Sequence, residues 1–188
     1  MKGNSSLLFL LLFAYVLVEG SFDPLLVLAF SLLHELGHWL ALRRFGKKPC
    51  LSCKGQGFAL SVGVLSYRLE LWVAFCGPAV SLGLAMVFGA LYGVWKREFF
   101  AFCALTNGAL GLLNLLPIYP LDGGRILNAC LGLFCPLSHQ RTVSAAVAMI
   151  FLFPLLALAF WQFLQSGYNV SLLMVCIYLL YLMKESLI

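Results

Sequence analysis

A chain of 188 residues that is 63% hydrophobic and only 10% charged, with mean hydropathy +1.00 and formal net charge +5, is not an ordinary soluble domain. Soluble domains carry about 25% charged residues; this chain has too few to face water all round, so most of its surface faces lipid. The basic excess does not imply nucleic acid. Six of the twelve basic residues (Arg43, Arg44, Lys47, Lys48, Lys54 and Arg68) lie between two long apolar runs, where such residues mark a cytoplasmic loop and meet anionic headgroups.

Crossing a bilayer takes about 20 apolar residues. Residues 7–18 fall short of that and follow Lys2. They read as an uncleaved first span, although Gly20 and Ser21 would permit removal as a signal peptide. The second run covers 24–42 and leads into the basic loop. Within that loop Cys50 and Cys53 form a lone C-x-x-C, a weak metal or redox signal that a cytoplasmic setting keeps reduced. No chemistry is expected of it, with a redox role left open. Three other cysteines of the seven, Cys76, Cys103 and Cys176, lie in apolar runs and read as small hydrophobes.

Residues 55–66 are glycine-punctuated and partly alternating, which predicts a strand or hairpin between the second and third spans. Runs at 71–95 and 99–116 follow, joined by Lys96, Arg97 and Glu98. The chain then breaks over 117–136 with proline, glycine and aspartate, and runs at 143–163 and 170–183 complete the pattern. The expected fold is an all-α polytopic membrane protein of about six transmembrane helices with one small β element. Residues 1–188 form a single membrane-embedded domain, with no room for an appended PDZ or nucleotide-binding domain. With the basic loop cytoplasmic, both termini are too, in keeping with Lys2 and Lys184. Arg125 and Arg141 obey the same rule, while Lys96 and Arg97 fall against it.

The chemistry starts in the second run, at His34-Glu35-Leu36-Gly37-His38. Residues four apart share a helix face, so both imidazoles reach one metal ion. Glu35, one residue round, stands beside that ion as a general base for the water it activates. Ionisable groups at membrane depth are expensive and mark function by default. Two core histidines satisfied by backbone carbonyls would leave Glu35 as a buried carboxylate unexplained.

A catalytic zinc usually takes three protein ligands and keeps one position open. The chain has two aspartates, Asp23 and Asp122. Asp23 precedes the second run, away from the basic loop. Asp122 lies in Asn114-Leu115-Leu116-Pro117-Ile118-Tyr119-Pro120-Leu121-Asp122-Gly123-Gly124, where two prolines stop a helix and two glycines admit close backbone. This break falls on the cytoplasmic side, toward which His38 also lies, so Asp122 is the better third ligand; the other reading is an aspartate of a polar turn.

H-E-x-x-H in an early span followed by N-x-x-P-x-x-P-L-D-G strongly resembles the site-2 protease family of intramembrane zinc metalloproteases. The two motifs, in this order and spacing, reach from the second span past the fourth. The resemblance implies that His34, His38 and Asp122 bind Zn2+, that Glu35 is catalytic, and that Asn114 binds a substrate carbonyl or the developing oxyanion. Asn114 also fits a role as polar glue between helices. Residues 55–66 resemble the family's membrane-dipping strand, which adds an extended substrate at its edge. Gly77-Pro78-Ala79-Val80-Ser81 carries serine where many relatives have asparagine, leaving the polar role there open.

The implied activity is hydrolysis of a peptide bond in a membrane-tethered protein, in or near the bilayer. Its partners are that substrate, lipid and membrane-bound regulators. The lack of appended domains resembles the compact branch that releases a sporulation sigma-factor precursor in endospore-forming bacteria. That implies a bacterial cell membrane with the active site on the cytoplasmic side. A transporter or a metal-binding scaffold without proteolytic activity is the alternative, since transporters also place polar groups at broken helices. Glu35 distinguishes them, because neither needs a base one residue from a metal ligand.

Overall fold

A computed structural model describes residues 23–47, 50–54, 57–61, 65–166 and 171–187. The expected first span at 7–18 lies outside them. The chain runs in the order α1 (Asp23–Arg44), β1 (Cys50–Lys54), β2 (Gly57–Ser61), α2 (Tyr67–Trp95), α3 (Glu98–Asn114), α4 (Asp122–Phe134), α5 (Leu137–Ser166) and α6 (Ser171–Leu187). β1 and β2 pair antiparallel, with Cys50 opposite Ser61 and Lys54 opposite Gly57. β1 is drawn from residues read in the sequence as part of the basic loop.

Three described helices are long and apolar enough to cross a membrane: Asp23–Arg44, Tyr67–Trp95 and His139–Gln165. At 1.5 Å per residue, the 22 residues of α1 reach about 33 Å, enough for a hydrocarbon core of about 30 Å. α3 has only 17 residues, about 26 Å, because the chain leaves the helix after Asn114, before Pro117 and Pro120. α6 is also 17 residues, with a shorter apolar stretch at Leu172–Tyr181. Large apolar side chains point outward along these helices, with Phe134 86% and Val94 76% exposed. Water would penalise such a surface and lipid does not.

The described residues fall into two compact units. The first holds the chain up to Leu65 together with Cys76–Gly111. In it α1 and α2 approach so closely that a Cβ on Gly37 would lie 2.8 Å from the Cys76 carbonyl oxygen and 2.9 Å from Val80 Cγ2. α3 joins α2 the same way, since a Cβ on Gly111 would meet Leu82 at 2.9 Å. Small residues at crossings let membrane helices gain van der Waals contact where the hydrophobic effect offers nothing. At one end Phe30 packs edge-on to Phe88 at 5.7 Å, and Trp95 edge-on to Phe100 at 6.0 Å.

The second unit holds Ser66–Phe75 and the chain from Leu112 onward. Its core is Ile118, Ala148, Leu152, Leu179 and Met183, with Leu116, Leu121 and Leu155 packed against it. Gln140 Nε2 donates to the Asn128 carbonyl at 2.7 Å, tying α5 to α4. Buried amide groups need such partners.

Gly37→Ala tests the α1–α2 approach. The added methyl forces the helices apart, so the variant should lose roughly 1–3 kcal/mol despite alanine's higher helix propensity. Gly83, which has nothing within 4 Å of its Cβ direction, should accept alanine without loss. Thermal unfolding of the detergent-purified proteins distinguishes the two.

Candidate metal centre

The site grows from one face of α1. His34, Gly37 and His38 are buried there, and Glu35, about 100° further round, is half-buried. The two rings stand edge to face with centroids 5.0 Å apart, and their Nε2 atoms converge to 3.3 Å. That spacing fits a shared metal: two nitrogens about 2.05 Å from a tetrahedral zinc lie roughly 3.3 Å apart.

α2 supplies the floor. Gly77 lies flush against both rings, so that a Cβ there would fall 2.7 Å from His34 Nε2 and closer still to His38. One turn on, the fully buried Ser81 has its Oγ 2.9 Å from His34 Nδ1. Were Nε2 to hold a metal, Nδ1 would carry the ring proton and donate a hydrogen bond to Ser81 Oγ, fixing tautomer and ring plane together. Ser81 thus fills the polar role left open at its position. The sequence motif singled out this serine but not its partner, because a lone serine in an apolar helix has many possible uses.

Asp122 comes from the break after α3. Beyond Asn114 the chain turns tightly, with Ile118 N–H donating to the Leu116 carbonyl at 2.7 Å and Leu121 N–H to the Ile118 carbonyl at 2.8 Å. It then enters α4 with Asp122 in the first turn. Gly123 and Gly124 are required by the return of the chain on itself: a Cβ on Gly123 would strike the Leu115 and Leu116 carbonyls, and one on Gly124 the backbone at Ile118 and Tyr119. Asp122 is 6% exposed, and Arg125 Nη1 donates to its Oδ1 at 3.4 Å.

His34 and His38 each offer a ring nitrogen and Asp122 a carboxylate oxygen, all three residues being buried. Two imidazoles and a carboxylate are a donor set suited to zinc, and three protein ligands leave a position for water or substrate. Asn114 is the last residue of α3 and half-buried. Cys50 and Cys53 lie on β1, where Cys50 is opposite Ser61 and Cys53 opposite Phe58.

The comparisons with known proteins point the same way. A model of peptidase family M50 matches residues 95–158, which include Asn114 and Asp122. Rip3 of Mycobacterium tuberculosis, named as a candidate zinc metalloprotease, is 34% identical over 160 residues, covering 79% of this chain and 41% of its own length. The zinc metalloprotease MJ0392 of Methanocaldococcus jannaschii is 32% identical over 106 residues, 53% of this chain and 31% of that protein. Thus the chain spans about two fifths or less of the length of these relatives. The solved structure of a site-2 protease from Methanocaldococcus jannaschii shares the fold, with a TM-score of 0.66 and 21% identity over 95% of this chain and 85% of that one.

Two variants probe the floor of the centre. Ser81→Ala should weaken zinc binding by about tenfold or more, the usual effect of losing a hydrogen bond to a ligand histidine. Gly77→Ala should weaken it further by displacing both rings. Zinc affinity by competition with a fluorescent chelator checks both.

Proposed function

We propose that the chain belongs to the site-2 protease family and is an intramembrane zinc metalloprotease that hydrolyses a peptide bond of a membrane-tethered protein, a reading supported by the match to peptidase family M50 and by the zinc metalloprotease relatives. The observation that most supports this reading is the convergence of His34 Nε2 and His38 Nε2 to 3.3 Å beside a half-buried Glu35. His34, His38 and Asp122 hold the metal in this reading. Zinc, when bound, supplies a Lewis acid and lowers the pKa of water from about 15.7 to about 7.

The remaining steps belong to the chain's own side chains. Glu35 takes a proton from the attacking water and delivers it to the departing amine. The Asn114 amide donates a hydrogen bond to the carbonyl oxygen as charge builds there. Ser81 keeps His34 in one tautomer throughout. A transmembrane substrate must first unwind, since a helix engages its own carbonyls. Strand addition against the hairpin offers those groups replacement partners.

The finer assignments extend the same reading. Residues 1–188 act as one membrane-embedded domain of about six spans, in a bacterial cell membrane with the site toward the cytoplasm, as the basic residues of 43–68 favour. Membrane-bound regulators are expected partners. A membrane-tethered sigma-factor precursor of sporulation is the substrate to try first, on the resemblance to the compact branch.

The test pairs zinc content with cleavage of a co-expressed tethered substrate. Wild type and Glu35→Gln should each hold about one zinc per chain, and Asp122→Ala less. Cleavage should fall at least about 100-fold in Glu35→Gln and also be lost on metal removal by a chelator. Full cleavage by Glu35→Gln would overturn the assignment of the base. A wild type that holds no zinc would favour a transporter or scaffold.

A further inference from the structure

Asp122 lies under a second charged group whose arrangement the reaction above does not use. Arg125, three residues on and therefore on the same face of α4, directs Nη1 to Asp122 Oδ1 at 3.4 Å. From its other edge Arg125 Nε faces Glu70 Oε1 at 3.6 Å, in the first turn of α2. One guanidinium therefore lies between two carboxylates, one from each of two helices.

Stability alone is a weak reason for this arrangement. The side chains of Arg125 and Glu70 are 31% and 33% exposed, and ion pairs that wet contribute little to folding. Asp122 differs, with a side chain only 8% exposed. A carboxylate has two oxygens and about four lone-pair directions. Bound to a metal through one oxygen, it leaves the other to be satisfied, and in a buried setting that requires an N–H donor.

The geometry points to Arg125 as a positioning residue for the metal centre. Held by Glu70, its guanidinium fixes the Asp122 carboxylate in the rotamer that offers one oxygen to zinc and draws negative charge toward the other. The inference rests on Asp122 being a zinc ligand, as proposed above. Two consequences follow from ordinary coordination chemistry. A ligand held in place from outside releases its metal more slowly, and a carboxylate that shares charge with a guanidinium donates less to the ion, which keeps the ion a stronger Lewis acid. Lysine cannot do the same, because a single ammonium lacks the flat fork whose separate nitrogens face Asp122 and Glu70.

The experiment uses the full chain in detergent, loaded with zinc and mixed with excess chromophoric chelator. Arg125→Gln should release zinc about tenfold faster or more, Glu70→Gln should change in the same direction by less, and Arg125→Lys should fall between wild type and Arg125→Gln. The cobalt(II)-substituted protein should show a shifted visible spectrum in Arg125→Gln, a signature of altered ligand geometry that a merely structural pair would not move. A lowered melting temperature in Arg125→Gln with unchanged zinc release and an unchanged cobalt spectrum would overturn the proposal. Should Arg125→Gln fail to fold, Glu70→Gln decides it, and wild-type release there counts against it. Zinc binding indifferent to Asp122→Ala, with His34 and His38 still required, would remove the ligand assignment itself and this inference with it.

Discussion

The close approach of α1 and α2 is the constraint on which the candidate site depends. Gly37 lets α1 lie against the Cys76 carbonyl and Val80, and Gly77 lets α2 lie against the two imidazoles. A methyl at either position would occupy space that another atom already fills. In lipid, helices gain by contact and by polar pairs rather than by escaping water, so two glycines at one crossing serve both packing and chemistry. Because the backbones are so near, the Ser81 hydroxyl, short as it is, reaches His34 Nδ1 at 2.9 Å.

Polar groups in this chain are few, and their placement is correspondingly informative. Arg43 and Arg44 end α1, with Arg43 over the Trp39 ring at 4.7 Å. Such residues at a helix end can reach the headgroups while their stems stay in lipid. His34, His38, Ser81, Asn107 and Asp122 are buried instead. Burial of that kind is costly for a group without partners; the contacts of Ser81 with His34, of Asn107 Nδ2 with the Cys103 carbonyl and of Arg125 with Asp122 supply part of that need.

The break after α3 shows how irregular backbone is handled. Pro117 and Pro120 end the helix, and the freed groups are recovered by short turns within residues 116–121 and by entry into α4. Non-helical chain at such a place is stable only where protein surrounds it. Gly123 and Gly124 allow that by admitting the returning carbonyls of Leu115, Leu116 and Ile118. Asp122 is delivered to a buried position as a consequence of this turn, with α4 beginning at that residue.

From the sequence alone came the lipid-facing composition, the histidine pair four residues apart with its glutamate, and the choice of Asp122 from two aspartates. These were legible because composition and helical period act locally: His34 and His38 share a face wherever the helix lies, whereas proline is a weaker signal, since Pro78 and Pro154 lie inside α2 and α5. The apolar runs were legible too, but not the lengths of the helices they form, since α3 ends after 17 residues where the run continues to 116. Gly77 and Ser81 stood in a quoted motif whose polar role was open, but their partners were not legible, and neither were Gly37 or the Arg125–Glu70 pair as parts of a site. Each takes its meaning from an atom 39 to 55 positions away in the chain, and no periodicity encodes which serine will meet which histidine. Only tertiary structure decided that, because the distance between two helices is set by the side chains missing at their crossing, a property of the pair and not of either strand of sequence.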